Sequence, residues 1–145
     1  MKRLLQVILL LFVLSCGKSP FLAGSPLKNI IGGADGLKEE LRFETDGLSI
    51  ERKWETGPTL YNSSKITILL KDSAGNLRDP QASFLAYLWM PNMNHGSFPI
   101  TITRVATGNY ELDDVYFTMN GVWDFHLQLA ERGNIYDEVS WRITL

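Results

Sequence analysis

The chain has 145 residues, and the near balance of 14 basic against 16 acidic side chains leaves a formal net charge of −2 with no basic stripe. That excludes nucleic acid as the expected partner. A single cysteine excludes an internal disulfide, so a folded domain must rest on its hydrophobic core alone. Once an N-terminal address is set aside, the length suits one domain.

The first fifteen residues read as that address. Lys2 and Arg3 form a positive start, and Leu4 to Leu14 is apolar except for Gln6. Such a run falls short of the roughly twenty residues a bilayer-spanning helix needs and matches the apolar region of a secretory signal. It ends in Val13-Leu14-Ser15-Cys16-Gly17, which resembles a bacterial lipobox, although Leu14 is bulky for its place. On that resemblance Cys16 is lipidated and the protein is anchored in the bacterial cell envelope, facing the periplasm or the exterior, with the membrane as its first partner. The alternative is an ordinary signal peptide followed by a chance cysteine. Residues 16–40 read as a flexible linker, because Gly17, Pro20, Gly24, Pro26, Gly32, Gly33 and Gly36 break any period. A helical turn fits residues 37–41.

From Leu41 to Leu145 the pattern is all β. Strands are expected near 42–45, 47–55, 64–71, 82–90, 99–105, 109–117, 121–130 and 135–145, separated by turn signals such as Asp72-Ser73-Ala74-Gly75-Asn76 and Asn120-Gly121. Arg132-Gly133-Asn134 is expected to close a hairpin. Trp123, Phe125, Leu127 and Leu129 share one face of their strand, and Val139, Trp141, Ile143 and Leu145 share one face of the next. That alternation implies antiparallel strands with one wet side. The 82–90 strand is apolar on both faces, which places it mid-sheet or under a covering loop. Seven or eight such strands predict an immunoglobulin-like antiparallel β-sandwich.

Catalysis finds little support. There is no nucleophile motif and no phosphate-binding glycine loop, and the two histidines show no zinc-type spacing. The expectation is a binding protein and not an enzyme. His126, beside Asp124 on the polar face of its strand, reads as an exposed surface histidine.

One stretch carries chemistry. Leu88-Trp89-Met90-Pro91-Asn92-Met93-Asn94-His95-Gly96 places two thioethers and an imidazole within six residues, just where Pro91 ends regular pairing. Met93 and His95, two apart, point the same way if the segment is extended. Met119 ends another strand, at a place where sandwich loops gather. Thioether sulfur and imidazole nitrogen suit Cu(I), so Met90, Met93, His95 and Met119 form a candidate copper site, with Met90 the outlying member. The bland reading makes Met90 and Met119 core filler, Met93 an exposed loop residue and His95 a turn cap.

Trp89-Met90-Pro91-Asn92-Met93-Asn94-His95-Gly96 resembles the Met-Pro-x-Met-x-His signature of YtkA-like and FixH-like domains. Gly108-Asn109-Tyr110, Val115 to Met119 and Gly121-Val122-Trp123 also look like them. The resemblance covers roughly residues 45 to 145. It implies an immunoglobulin-like domain, bound copper, and a copper-handling or oxidase-assembly envelope protein as partner. FixH-like proteins usually carry a transmembrane helix where this chain has its lipobox. The reading drawn from all of this is a copper carrier or chaperone; its rival is a tethered, non-catalytic protein-interaction module.

Overall fold

The computed structural model describes residues 40–145. The address segment, Cys16 and all of the linker except Glu40 lie outside the described residues. So does the expected helical turn, apart from its last two positions: Glu40 is coil and Leu41 opens a strand.

Nine strands follow in order: β1 (Leu41–Phe43), β2 (Leu48–Thr56), β3 (Ser63–Lys71), β4 (Ser83–Met90), β5 (His95–Gly96), β6 (Thr101–Ala106), β7 (Asn109–Tyr116), β8 (Val122–Glu131) and β9 (Asn134–Thr144). All eight expected strands are present. The ninth, β5, is a two-residue strand too short to leave a pattern in the sequence. Pairing is antiparallel within two sheets, ordered β1-β2-β3-β7-β6 and β5-β4-β8-β9. Set β1 aside, and the order is that of an immunoglobulin-like sandwich, with four strands facing a sheet of three strands plus one extra edge strand.

Period-two alternation explains why the sheets face each other. Ile66, Ile68 and Leu70 point inward from β3, and Trp123, Phe125, Leu127 and Leu129 from β8; all seven are fully buried. Phe43, Leu48, Leu112 and Phe117 complete the seal. Phe125 stacks on Trp141 at 4.4 Å between ring centroids, joining β8 to β9 within one sheet. The β8–β9 hairpin closes where expected, with Glu131 opposite Asn134. Its two turn residues, Arg132 and Gly133, have φ of 52° and 83°, the doubly left-handed backbone that matches strand twist in two-residue hairpins.

The 82–90 strand does not sit mid-sheet along its length. β5 covers it only at Trp89 and Met90, so its first six residues form an edge and Leu85 is exposed. Its outer apolar side chains instead pack sideways along the sheet, as Tyr87 does on His126.

The two ends of the sandwich differ in kind. One carries the turns at residues 44–47, 72–82 and 131–134, with Glu44, Asp46, Asp72, Arg78, Asp79, Glu131 and Arg132. The other carries the loops 57–62, 91–100 and 117–121, none of which contains a charged residue.

Candidate metal centre

The uncharged end is where the thioethers and the imidazole lie. β4 delivers Met90 to it, 4% exposed and pointing into the core. The chain then turns through residues 91–94. The Met93 amide donates to the Met90 carbonyl at 3.2 Å, and Asn94 takes a left-handed φ of 52°. That turn brings His95 directly opposite Met90 in the β4–β5 ladder. Directly opposed residues share a face, with Cβ atoms about 4.5–5.5 Å apart.

This revises the expected pairing. Residues 91–94 form a turn and are not extended, so Met93 and His95 do not line up by alternation. Met93 sits on the outside of the turn, 59% exposed. Met90, the outlying member in the sequence, is the one that pairs with His95.

His95 is held by one nitrogen and left open at the other. Nδ1 lies 2.7 Å from the Gly96 carbonyl oxygen. In the neutral ring that contact requires Nδ1–H to donate, which leaves the lone pair on Nε2. Nε2 is buried and has no hydrogen-bond partner among the described residues. A buried acceptor without a donor is costly, and the arrangement is the one a metal-ligating histidine adopts, with its second nitrogen fixed by a carbonyl.

Met119 comes to the same end from the loop after β7. It is half-buried and packs against the core. Trp123 joins it to His95. The indole N–H donates to the Met119 carbonyl at 3.0 Å, and the same ring meets the His95 imidazole edge-to-face with centroids 5.7 Å apart. Gly121 adds a link to Met90, since a Cβ placed on it would lie 2.7 Å from the Met90 terminal methyl. Two backbone hydrogen bonds to Leu145, at 2.9 and 3.1 Å, tie Gly121 down. Sequence reading treats Trp123 as core and Gly121 as a turn residue. The offset of four between Met119 and Trp123 is the only hint of their link.

Among the described residues no group of three or more His, Cys, Asp or Glu side chains is placed to hold a metal ion. The metal-binding types that this end offers are thioethers and one imidazole, a set that suits a soft monovalent ion better than a hard divalent one.

His126 departs from its expected role. Its side chain is only 16% exposed, its ring stacks on Tyr87 at 4.4 Å, and Nδ1 lies 2.7 Å from a Glu138 carboxylate oxygen. Its neighbour Asp124 is taken by Arg142, directly across the β8–β9 ladder, at 2.8 Å. Neighbours within a strand are visible in sequence; cross-strand partners are not.

The fold is an immunoglobulin-like sandwich domain whose uncharged end carries Met90, Met93, His95 and Met119. Residues 57–128 match the model of the YtkA-like family. The match runs from the loop before β3 into β8 and takes in Met90, Met93, His95 and Met119. The FixH-like half of the resemblance rests on the motif alone. No curated protein matches the chain.

Proposed function

We propose that this protein is a copper carrier or chaperone of the bacterial envelope, anchored by a lipid on Cys16, whose YtkA-like domain takes one Cu(I) ion through Met90, His95 and Met119, with Met93 closing the site from the solvent side. One observation carries the reading. His95 Nε2 is buried and without a partner among the described residues, on a residue directly opposite buried Met90 in the ladder and beside loops that lack charge. The donor set contains no thiolate, which favours exchange with another carrier over permanent retention. The partner expected for such a carrier is a copper-handling or oxidase-assembly envelope protein. It acts by binding and handing over, not by catalysis.

The test is a Cu(I) competition titration of the full chain in detergent under reducing conditions. One equivalent is expected. His95→Ala should abolish binding with the fold intact, and Met93→Leu should weaken it less. No uptake by the wild type refutes the reading.

A second reading has its own support. Tyr61, Met93 and Phe98 are 72%, 59% and 61% exposed at the uncharged end, and interface centres are poor in charge and rich in aromatics and methionine. A tethered interaction module would use this surface without metal. Loss of a bound protein partner on Phe98→Ser, with no copper uptake by the wild type, selects this reading over the first.

A further inference from the structure

We infer that Trp123 is the positioning residue of the candidate centre, holding ligands on two separate loops with one side chain. The inference rests on the copper reading for its consequence, while its geometry stands apart from it.

Trp123 is fully buried at the start of β8. A tryptophan there needs only an apolar cavity to be explained as packing, and its edge-to-face contact with Phe117 at 5.9 Å supplies one. Two features exceed packing. The indole N–H is spent on the Met119 carbonyl, the backbone of a candidate ligand. The ring also meets the imidazole of His95, whose Nε2 has no donor among the described residues. Three points fix the loop from Phe117 to Gly121. They are the Tyr61 amide on the Phe117 carbonyl at 3.0 Å, the indole on Met119, and the Leu145 backbone on Gly121. The indole is the middle point and the only one made by a side chain. Without it the Met119 carbonyl loses its donor, and the backbone that carries the thioether loses its tie to the ring that meets His95. Trp123→Phe keeps an apolar ring beside Phe117 but removes the donor together with part of the ring, so a control that loses the same ring volume elsewhere separates positioning from packing.

The experiment uses the full chain in detergent, labelled with 13C in the methionine methyls and assigned by Met119→Leu. In metal-free Trp123→Phe the Met119 methyl resonance should move toward its unstructured position. Trp141→Phe, a comparable loss from a ring stacked elsewhere in the core, should leave it in place. Cu(I) affinity should fall by about tenfold or more in Trp123→Phe, as expected for losing a group that orients a ligand, and by less than about threefold in Trp141→Phe. An unmoved Met119 resonance in a cooperatively folded Trp123→Phe overturns the inference. Should that variant fail to fold, exchange of the Trp123 indole proton in the wild type decides. Protection of about a hundredfold or more supports a closed hydrogen bond; exchange as fast as an exposed indole overturns it. If the wild type takes up no Cu(I), the copper reading fails, and the metal-free methyl spectrum still decides whether Trp123 sets Met119.

Discussion

Substituting Gly121 by alanine tests the contact that closes the buried side of the centre. Gly121 has φ of +138°, a backbone that side chains rarely adopt and that costs on the order of 1–3 kcal/mol for any other residue. The added Cβ would lie 2.7 Å from the Met90 terminal methyl. Carbon atoms in good contact stand about 3.5–4.0 Å apart, so the methyl must retreat by about 1 Å. The end of a methionine gives way easily, which puts the collision near the low end of overpacking costs, about 1 kcal/mol. Gly121→Ala should therefore destabilise by about 2–4 kcal/mol in urea unfolding. Met90→Ala alone should cost about 2–4 kcal/mol as a buried truncation. The double variant separates the two causes. Removing the Met90 side chain abolishes the collision but not the backbone strain, so the pair should be less damaging than the sum by about 1 kcal/mol. Additivity within about 0.3 kcal/mol would show that Met90 does not lie against Gly121 and would break this side of the site.

Further outcomes follow from other contacts. Arg104, the Gly108 amide and the Tyr110 hydroxyl all donate to Asp79, in that order of effect against the opposing pull of burial, and hold its carboxyl well below the usual carboxylate range. A depressed carboxylate adds stability at neutral pH that is lost as pH falls below its unfolded value of 3.8. Asp79→Asn should thus cost about 1–2 kcal/mol at pH 7, a modest figure because the pair is partly exposed, and should flatten the loss of stability below pH 4 in acid titrations. Burial first, then Asp79, pushes the Tyr110 phenol up to about 12 from 10. The neutral ring is the favoured form, so stability is full below pH 10, and alkaline melts should show it falling from there toward pH 12, less so in Tyr110→Phe. Replacing Gly133 by valine, against its φ of 83°, should cost about 1–2 kcal/mol and leave Met119 spectra unchanged, since the β8–β9 turn lies at the far end. Cys16→Ala should release the protein from membranes or leave the precursor unprocessed, read by fractionation and intact mass.

Sequence patterning was strongest where one face of a strand is dry. Trp123, Phe125, Leu127 and Leu129 alternate strictly, and all four are buried, because burial on one side is the property that period two records. The same signal was half right on β4. Its two apolar faces suggested a place mid-sheet or under a loop; β4 does lie between β5 and β8, but β5 covers only Trp89 and Met90, so Leu85 is exposed and Tyr87 stacks on His126. A sequence shows that a side chain is apolar but not which neighbour it will meet. The site divides in the same way. That Met90, His95 and Met119 would gather at one end followed from loops clustering at the ends of a sandwich. Which methionine faces His95 depended on whether 91–94 ran extended or turned, and Asn94 in a left-handed conformation decided for the turn. The anchoring of His95 through Gly96, and of Met119 through Trp123, involves backbone carbonyls, which carry no residue signature.

The uncharged loops bear on how such a centre would let its ion go. On the proposed reading the donors are neutral thioethers and a neutral imidazole, so a bound Cu(I) keeps its single positive charge. The loops that surround it offer no carboxylate to offset that charge, because 57–62, 91–100 and 117–121 contain none. A nearby anion would deepen the well through Coulomb attraction in a poorly solvated setting. With no carboxylate in these loops, affinity leans on the soft-donor bonds, which makes release easier.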